Sequence, residues 1–209
     1  ITTVGPGYKD VFLDKTSTDI QVIYNGFDEK VDRPEETKKR DDETLHLVYA
    51  GSMSYQQRPT GLFRALQRLI STPKVPIKVT FVGHFGGFLQ KMIQNYGLQD
   101  VVRVRGYKPK AELSRYLRSA DVLMVLGIED CPYGVIPSKI FEYLPLGIPI
   151  LGYGLSEDAE RIITQTDRGK CFPFHDETSD SATFLHDIYA GEYTVSTDTD
   201  RIAAYSSKE

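Results

Sequence analysis

Between residues 45 and 152, short apolar runs ending on a glycine alternate with stretches whose apolar residues recur at helical spacing. Residues 45–50 run into Gly51, 77–82 into Gly83, 101–105 into Gly106, 122–126 into Gly127 and 148–151 into Gly152. Helices are predicted between them, at about 59–71, 87–96, 110–118 and from Pro137 onward. In the first of these, Leu62, Phe63, Leu66, Leu69 and Ile70 share one side. Strands alternating with helices at this spacing pair in parallel through right-handed crossovers. The fold class is therefore α/β, a doubly wound, Rossmann-like parallel sheet. In such open sheets, ligands bind beyond the carboxyl ends of the strands. Glycine there lets the backbone turn sharply and lets a ligand come close. A preference of glycine for loops explains any one of the five; five in register point to a nucleotide-type crevice.

Residues 137–151, PSKIFEYLPLGIPIL, carry the densest pattern in the chain. Pro137 suits the first turn of a helix, where its missing N–H costs nothing. At 3.6 residues per turn, Ser138, Lys139 and Glu142 fall on one face, while Ile140 and Leu144, flanked by Phe141 and Tyr143, form the other. Gly147 can take a left-handed cap and Pro149 forbids continuation, so residues 148–151 read as the next strand. A hydroxyl, a base and an acid thus share the first turns of one helix, close to its unpaired N–H groups, where anions bind. Taken alone, this is also what an ordinary solvated helix face looks like.

This stretch resembles the donor-site signature of retaining GT-B glycosyltransferases of the group 1 type, and its wording is most similar to the branch that builds bacterial surface polysaccharides. The similarity covers residues 19–207 and is strongest over 45–69 and 101–152. It implies the C-terminal half of a GT-B fold, binding a nucleoside diphosphate sugar and needing no cofactor or metal. Glu142 occupies the position whose glutamate holds the ribose hydroxyls, and Ser138 and Lys139 stand where the helix faces the diphosphate. Arg58, in GSMSYQQRPTG, matches a basic residue that grips the diphosphate, and a planar guanidinium suits that task. Gly51 and Ser52 follow the first strand. Gly83 and His84 lie where the family's backbone passes the nucleoside, and Gly106 and Tyr107 lie where it contacts the base. A surface arginine, a solvated lysine, an exposed loop histidine and a packed tyrosine are the plain alternatives for these side chains.

Two departures stand out. Many relatives carry a second glutamate eight positions before the ribose-binding one, and that position here is Gly134. Glu129 and Asp130 lie in the same loop but out of register. Relatives also often place a basic residue after the first strand's glycine, where this chain has Ser52. No catalytic residue is assigned. A non-catalytic nucleotide-binding or regulatory α/β domain, and a purely structural interaction domain, remain the alternatives.

The similarity also implies an organisation. Residues 1–32, which include VIYNGFDEKVD, read as the remnant of an inter-domain connection. Residues 33–44 carry nine charged side chains in twelve and read as a mobile loop. Residues 45–175 form the nucleotide-sugar-binding domain, with Ser156 capping a helix at 157–164 and a last strand at 169–174. Residues 176–209 form a helical extension, with helices near 181–190 and 199–207. The expected partners are an N-terminal acceptor domain absent from this chain and a lipid-linked or glycan acceptor. A chain that starts at Ile1 reads as a piece of a longer protein.

Composition excludes several other classes. A net charge of −4 over 209 residues argues against general nucleic-acid binding. Cys131 and Cys171 stand far apart without metal or redox spacing, as reduced thiols of a cytoplasmic protein would. A peripheral place at the inner membrane face stays compatible with that. There is no G-x-S-x-G elbow, no P-loop and no G-x-G-x-x-G after the first strand, and the four histidines show no metal spacing.

Overall fold

The chain opens with β1 (Thr2–Thr3), α1 (Pro6–Leu13) and β2 (Gln21–Val22), in which the two short strands pair in parallel. The main sheet follows, built from β3 (Leu45–Ala50), α2 (Thr60–Ser71), β4 (Ile77–Val82), α3 (Gly87–Asn95), β5 (Val102–Arg105), α4 (Lys110–Arg118) and β6 (Val122–Leu126). It is completed by α5 (Lys139–Tyr143), β7 (Ile150–Tyr153), α6 (Glu157–Gln165), β8 (Gly169–Phe172), α7 (Asp180–Ala190) and α8 (Asp200–Ala203). The computed structural model describes residues 1–13, 15–27, 43–71, 75–129, 134–177, 180–196 and 198–207. Most of the charged run 33–44, with Asp130 and Cys131, lies outside the described residues.

The six strands are parallel throughout, in the order β5-β4-β3-β6-β7-β8. Counted from β3, this is the 3-2-1-4-5-6 arrangement of a doubly wound sheet, with its switch point between β3 and β6. Both faces are covered, so the central strands are apolar without alternation. Every residue of β6 is buried, and β3 is exposed in part only at His46. Leu47, Tyr49 and Met124 pack with Phe63, Leu66 and Phe184 on the α2, α3 and α7 side. Val48, Leu123 and Val125 pack with Ile140, Phe141 and Ile162 on the other. Side chains of this size gain about 1.5–3 kcal/mol each on full burial.

The predicted bounds of β3, β4, β6 and α4 coincide with those observed. Gly152, read as a strand end, instead lies inside β7, where Leu155 Cδ1 and Cys171 Sγ leave no room for a Cβ. The turn falls at Gly154, at φ +57°. Between residues 19 and 24 a strand forms over two residues alone, and the last helix, expected over 199–207, shrinks to four. α1 was not expected, because it buries none of its residues and so shows no periodicity. It docks through Gly7, which lies against Gly134 and whose N–H donates to Asp158 Oδ2 at 2.7 Å. Ile1, Val4, Phe12, Leu13 and Ile23, all in this first unit, are exposed. No helix among the described residues is long and apolar enough to cross a membrane.

Candidate functional site

A cavity of about 520 Å³ opens over the carboxyl ends of β3, β6 and β7, at the switch point. Its floor is backbone. Gly51 follows β3 at φ +136°, and a Cβ there would sit 2.8 Å from Lys139 Nζ. A Cβ on Gly127, after β6, would fall 1.8 Å from the Gly154 carbonyl oxygen. Gly83 follows β4 at φ +139° and abuts Gly51, whose oxygen would lie 2.1 Å from an added Cβ. Gly106 has open space around it and no unusual φ, so nothing in the packing requires glycine there.

Lys139 is the only basic side chain among the described residues that line this cavity. It was placed on a polar helix face, yet its amine turns inward. Nζ donates to the Ala50 carbonyl at 2.9 Å and lies 4.1 Å from the centre of the Tyr49 ring. The Tyr49 hydroxyl is itself fixed, donating to the Ser52 carbonyl at 2.8 Å. Burial pulls the ammonium pKa down to about 8, while the Glu142 carboxylate pushes it back up. Amine hydrogens beyond the Ala50 bond have no protein partner among the described residues.

The helix that carries Lys139 ends as its sequence demands. A 3-10 turn over Leu144–Leu146 follows α5, and Gly147 closes it at φ 65°. Ile140, Phe141, Tyr143 and Leu144 are buried, whereas Ser138 and Glu142 are exposed. Ser138 lines the cavity. Glu142 does not, and it has no hydrogen-bond partner among the described residues.

The remaining expected residues divide between the cavity and its surroundings. Gly51 and Ser52 line it; Arg58, Gly83, His84, Gly106 and Tyr107 do not. Arg58 lies beside it, with its guanidinium carbon 3.4 Å from the centre of the Tyr55 ring and its Nε buried without a partner. His84 and Tyr107 stack on one another, with ring centres 5.8 Å apart and planes at 24°. Tyr107 is 70% exposed, so it stands on the rim and is not a core residue.

Sequence reasoning overlooked Gln57, Ser156 and Phe174 as cavity residues, and set Glu129 aside on its register. Ser156 caps α6 as expected, accepting from the Ala159 N–H at 3.3 Å, and its hydroxyl donates to the Val135 carbonyl at 2.9 Å. Phe174 presses on Gly154, whose added Cβ would lie 2.2 Å from the ring. The Glu129 N–H donates to the Gln56 carbonyl at 2.9 Å, which ties Glu129 to the segment before Arg58. Gly134 cannot carry the acid common among relatives. A Cβ there would stand 2.6 Å from Asp158 Oδ2 and 2.9 Å from Gly7 Cα. Among the described residues there is no cluster of three or more His, Cys, Asp or Glu able to hold a metal ion.

An open parallel sheet with a backbone-floored cavity at its switch point defines a doubly wound α/β domain with a ligand crevice beyond its strand ends. Comparison with known proteins makes this specific. Residues 30–187 match the family model for glycosyl transferases group 1, and the chain belongs to that family. Over 76 residues it is 30% identical to WcaL of Salmonella typhimurium, which is named as a colanic acid biosynthesis glycosyltransferase. That match covers 35% of this chain and 19% of the relative. WcaL of Escherichia coli matches to the same extent. The fold is that of the GT-B glycosyltransferases. The lipopolysaccharide outer core galactosyltransferase WaaB superposes with a TM-score of 0.72 at 18% identity, over 99% of this chain and 58% of that one. Anabaena HepE, solved with UDP and glucose, superposes with a TM-score of 0.63 at 16% identity, over 97% and 59%. The chain thus spans little more than half the length of these structures.

Proposed function

We propose that this chain is the donor-binding half of a glycosyltransferase. It would transfer a sugar from a nucleoside diphosphate sugar, with retention of configuration, to an acceptor in cell-surface polysaccharide synthesis. The observation that carries the reading is Lys139, a half-buried cation turned beside Gly51 over the switch point of the sheet. Family membership, a relative named for colanic acid biosynthesis and neighbours solved with UDP all support it.

The diphosphate lies over Gly51 and Ser52, against Lys139 and the Ser138 hydroxyl. Arg58 closes on it from the side, and its buried, unpartnered Nε is a donor such a group would satisfy. Glu142 accepts hydrogen bonds from the ribose hydroxyls, and the His84–Tyr107 stack flanks the base. A cation already desolvated stabilises the departing diphosphate more strongly than a hydrated one and needs no rearrangement during reaction. The acceptor sits on a separate N-terminal domain, as a lipid-linked or glycan molecule at the inner membrane face. This chain alone therefore binds donor without transferring it, because positioning supplies about 7–11 kcal/mol of such a barrier.

Calorimetry with UDP, GDP and their nucleosides tests the reading. Glu142→Ala is expected to weaken the preferred nucleoside diphosphate about ten- to a hundredfold. Arg58→Ala should weaken the diphosphate and spare the nucleoside. Unaltered affinity in both variants would remove both residues from the site, and no binding of either diphosphate would end the proposal.

A further inference from the structure

Among the described residues that line the cavity there is a single acidic side chain, Glu129, beside the single basic one, Lys139. Glu129 is held in place by a chain of hydrogen bonds. His175 Nε2 lies 3.0 Å from Glu129 Oε1, and His175 Nδ1 lies 2.8 Å from Thr60 Oγ1 at the start of α2. The polarity of that chain follows from counting protons. The Thr60 hydroxyl has one hydrogen, and its contact to Nδ1 is shorter than its 3.4 Å contact to the Phe174 carbonyl. Donation to Nδ1 leaves the ring proton on Nε2, pointing at the carboxylate. Protonation of the whole ring gives Nε2 the same role. The imidazole thus donates to Glu129 Oε1 in either case, and Oε2 has no protein partner among the described residues. The Glu129 backbone is pinned as well, through its N–H to Gln56.

We propose that Glu129 is the specificity-determining residue of the donor site, with His175 as its positioning residue, and that it restricts the donor to neutral, hydroxyl-bearing sugars. The inference rests on the donor-binding reading above. With the diphosphate drawn to Lys139, the sugar is the part of the donor left to face Glu129. A carboxylate with a free oxygen accepts from sugar hydroxyls. A second carboxylate brought against it, as in a uronic acid, is repelled in a partly desolvated cavity.

The test measures the affinity of the 209-residue chain for UDP-glucose, UDP-glucuronic acid and UDP, and for GDP-mannose, GDP-mannuronic acid and GDP. In the pair whose base is accepted, the uronate is expected to bind at least about tenfold more weakly than the neutral sugar. Glu129→Gln should bring the two to within about threefold, a larger change than in the affinity of the free diphosphate, whose charge Glu129 also opposes. His175→Ala should shrink the discrimination by more than it changes the affinity of the free diphosphate, a split that simple loss of structure would not give. Equal binding of neutral and acidic sugars by the unaltered chain overturns the proposal, as does discrimination that survives Glu129→Gln. If diphosphates bind and only the sugar preference fails, the donor-binding reading stands. If no diphosphate binds, both fall together.

Discussion

Lys139 shows how a residue's chemistry is set by where its helix lands. Burial lowers its pKa from 10.5 to about 8, so the unfolded chain holds more protons than the folded one between those values. Lys139 therefore adds stability as pH rises from about 8, opposed above about 9 by the buried Cys171 thiol, whose pKa burial pushes up. The urea midpoint is thus expected to rise between about pH 8 and 9, and Lys139→Met should flatten that rise. Affinity for a nucleoside diphosphate should move the other way. It should fall by up to about tenfold per pH unit above 8 as the amine loses its charge, and calorimetry across that range checks it. The residue type and its helix were legible in the sequence from the spacing of Ser138, Lys139 and Glu142. The inward turn was not, because it depends on the Ala50 carbonyl and the Tyr49 ring, which lie far away along the chain. Glu129 shows the reverse failure. Its register against a family pattern hid it, although the loop after β6 reaches the cavity by a path that pattern does not describe.

At the scale of elements, the strand-end glycines separate into those the packing demands and those it does not. Gly127→Ala drives a methyl into the Gly154 carbonyl and is expected to cost at least about 3 kcal/mol, seen as a lower denaturant midpoint. Gly106→Ala meets open space and should change stability by less than about 0.5 kcal/mol. The sequence treated these two alike, since glycine after a strand looks the same whether it is crowded or free. Long apolar strands and helices with a buried stripe were readable because their periodicity reports burial directly, as in β3, β4, β6 and α4. α1 was not, as it buries no residue, and α8 was read too long, as it buries only Ile202. Gly152 was misplaced because a strand interior that needs a small residue carries the same letter as a turn.

At the scale of the whole molecule, the first unit and the six-stranded sheet are joined partly through Asp158, whose carboxylate accepts from Gly7 and also lies 3.5 Å from Arg161 Nη1. Asp158→Ala is expected to raise amide exchange of residues 7–13 by about tenfold or more while leaving β3 and β6 protected, as mass spectrometry of exchanged peptides would show. The doubly wound parallel sheet was implied by the alternation of elements, but the docking of α1 was not, since a polar bond and close glycine contacts leave no periodic trace. That order also shapes the history of each molecule. β3-β4-β5 is assembled from one contiguous stretch and β6-β7-β8 from another, and within the sheet the two meet where β3 pairs with β6. Closing that seam requires segments distant in sequence to meet, the slow kind of step in folding. The cavity sits on the stitching, with Gly51 and Ser52 from one stretch and Gly127 and Lys139 from the other. A nucleotide clasped there acts as a rivet across both halves, so the loaded chain should come apart more slowly than the empty one.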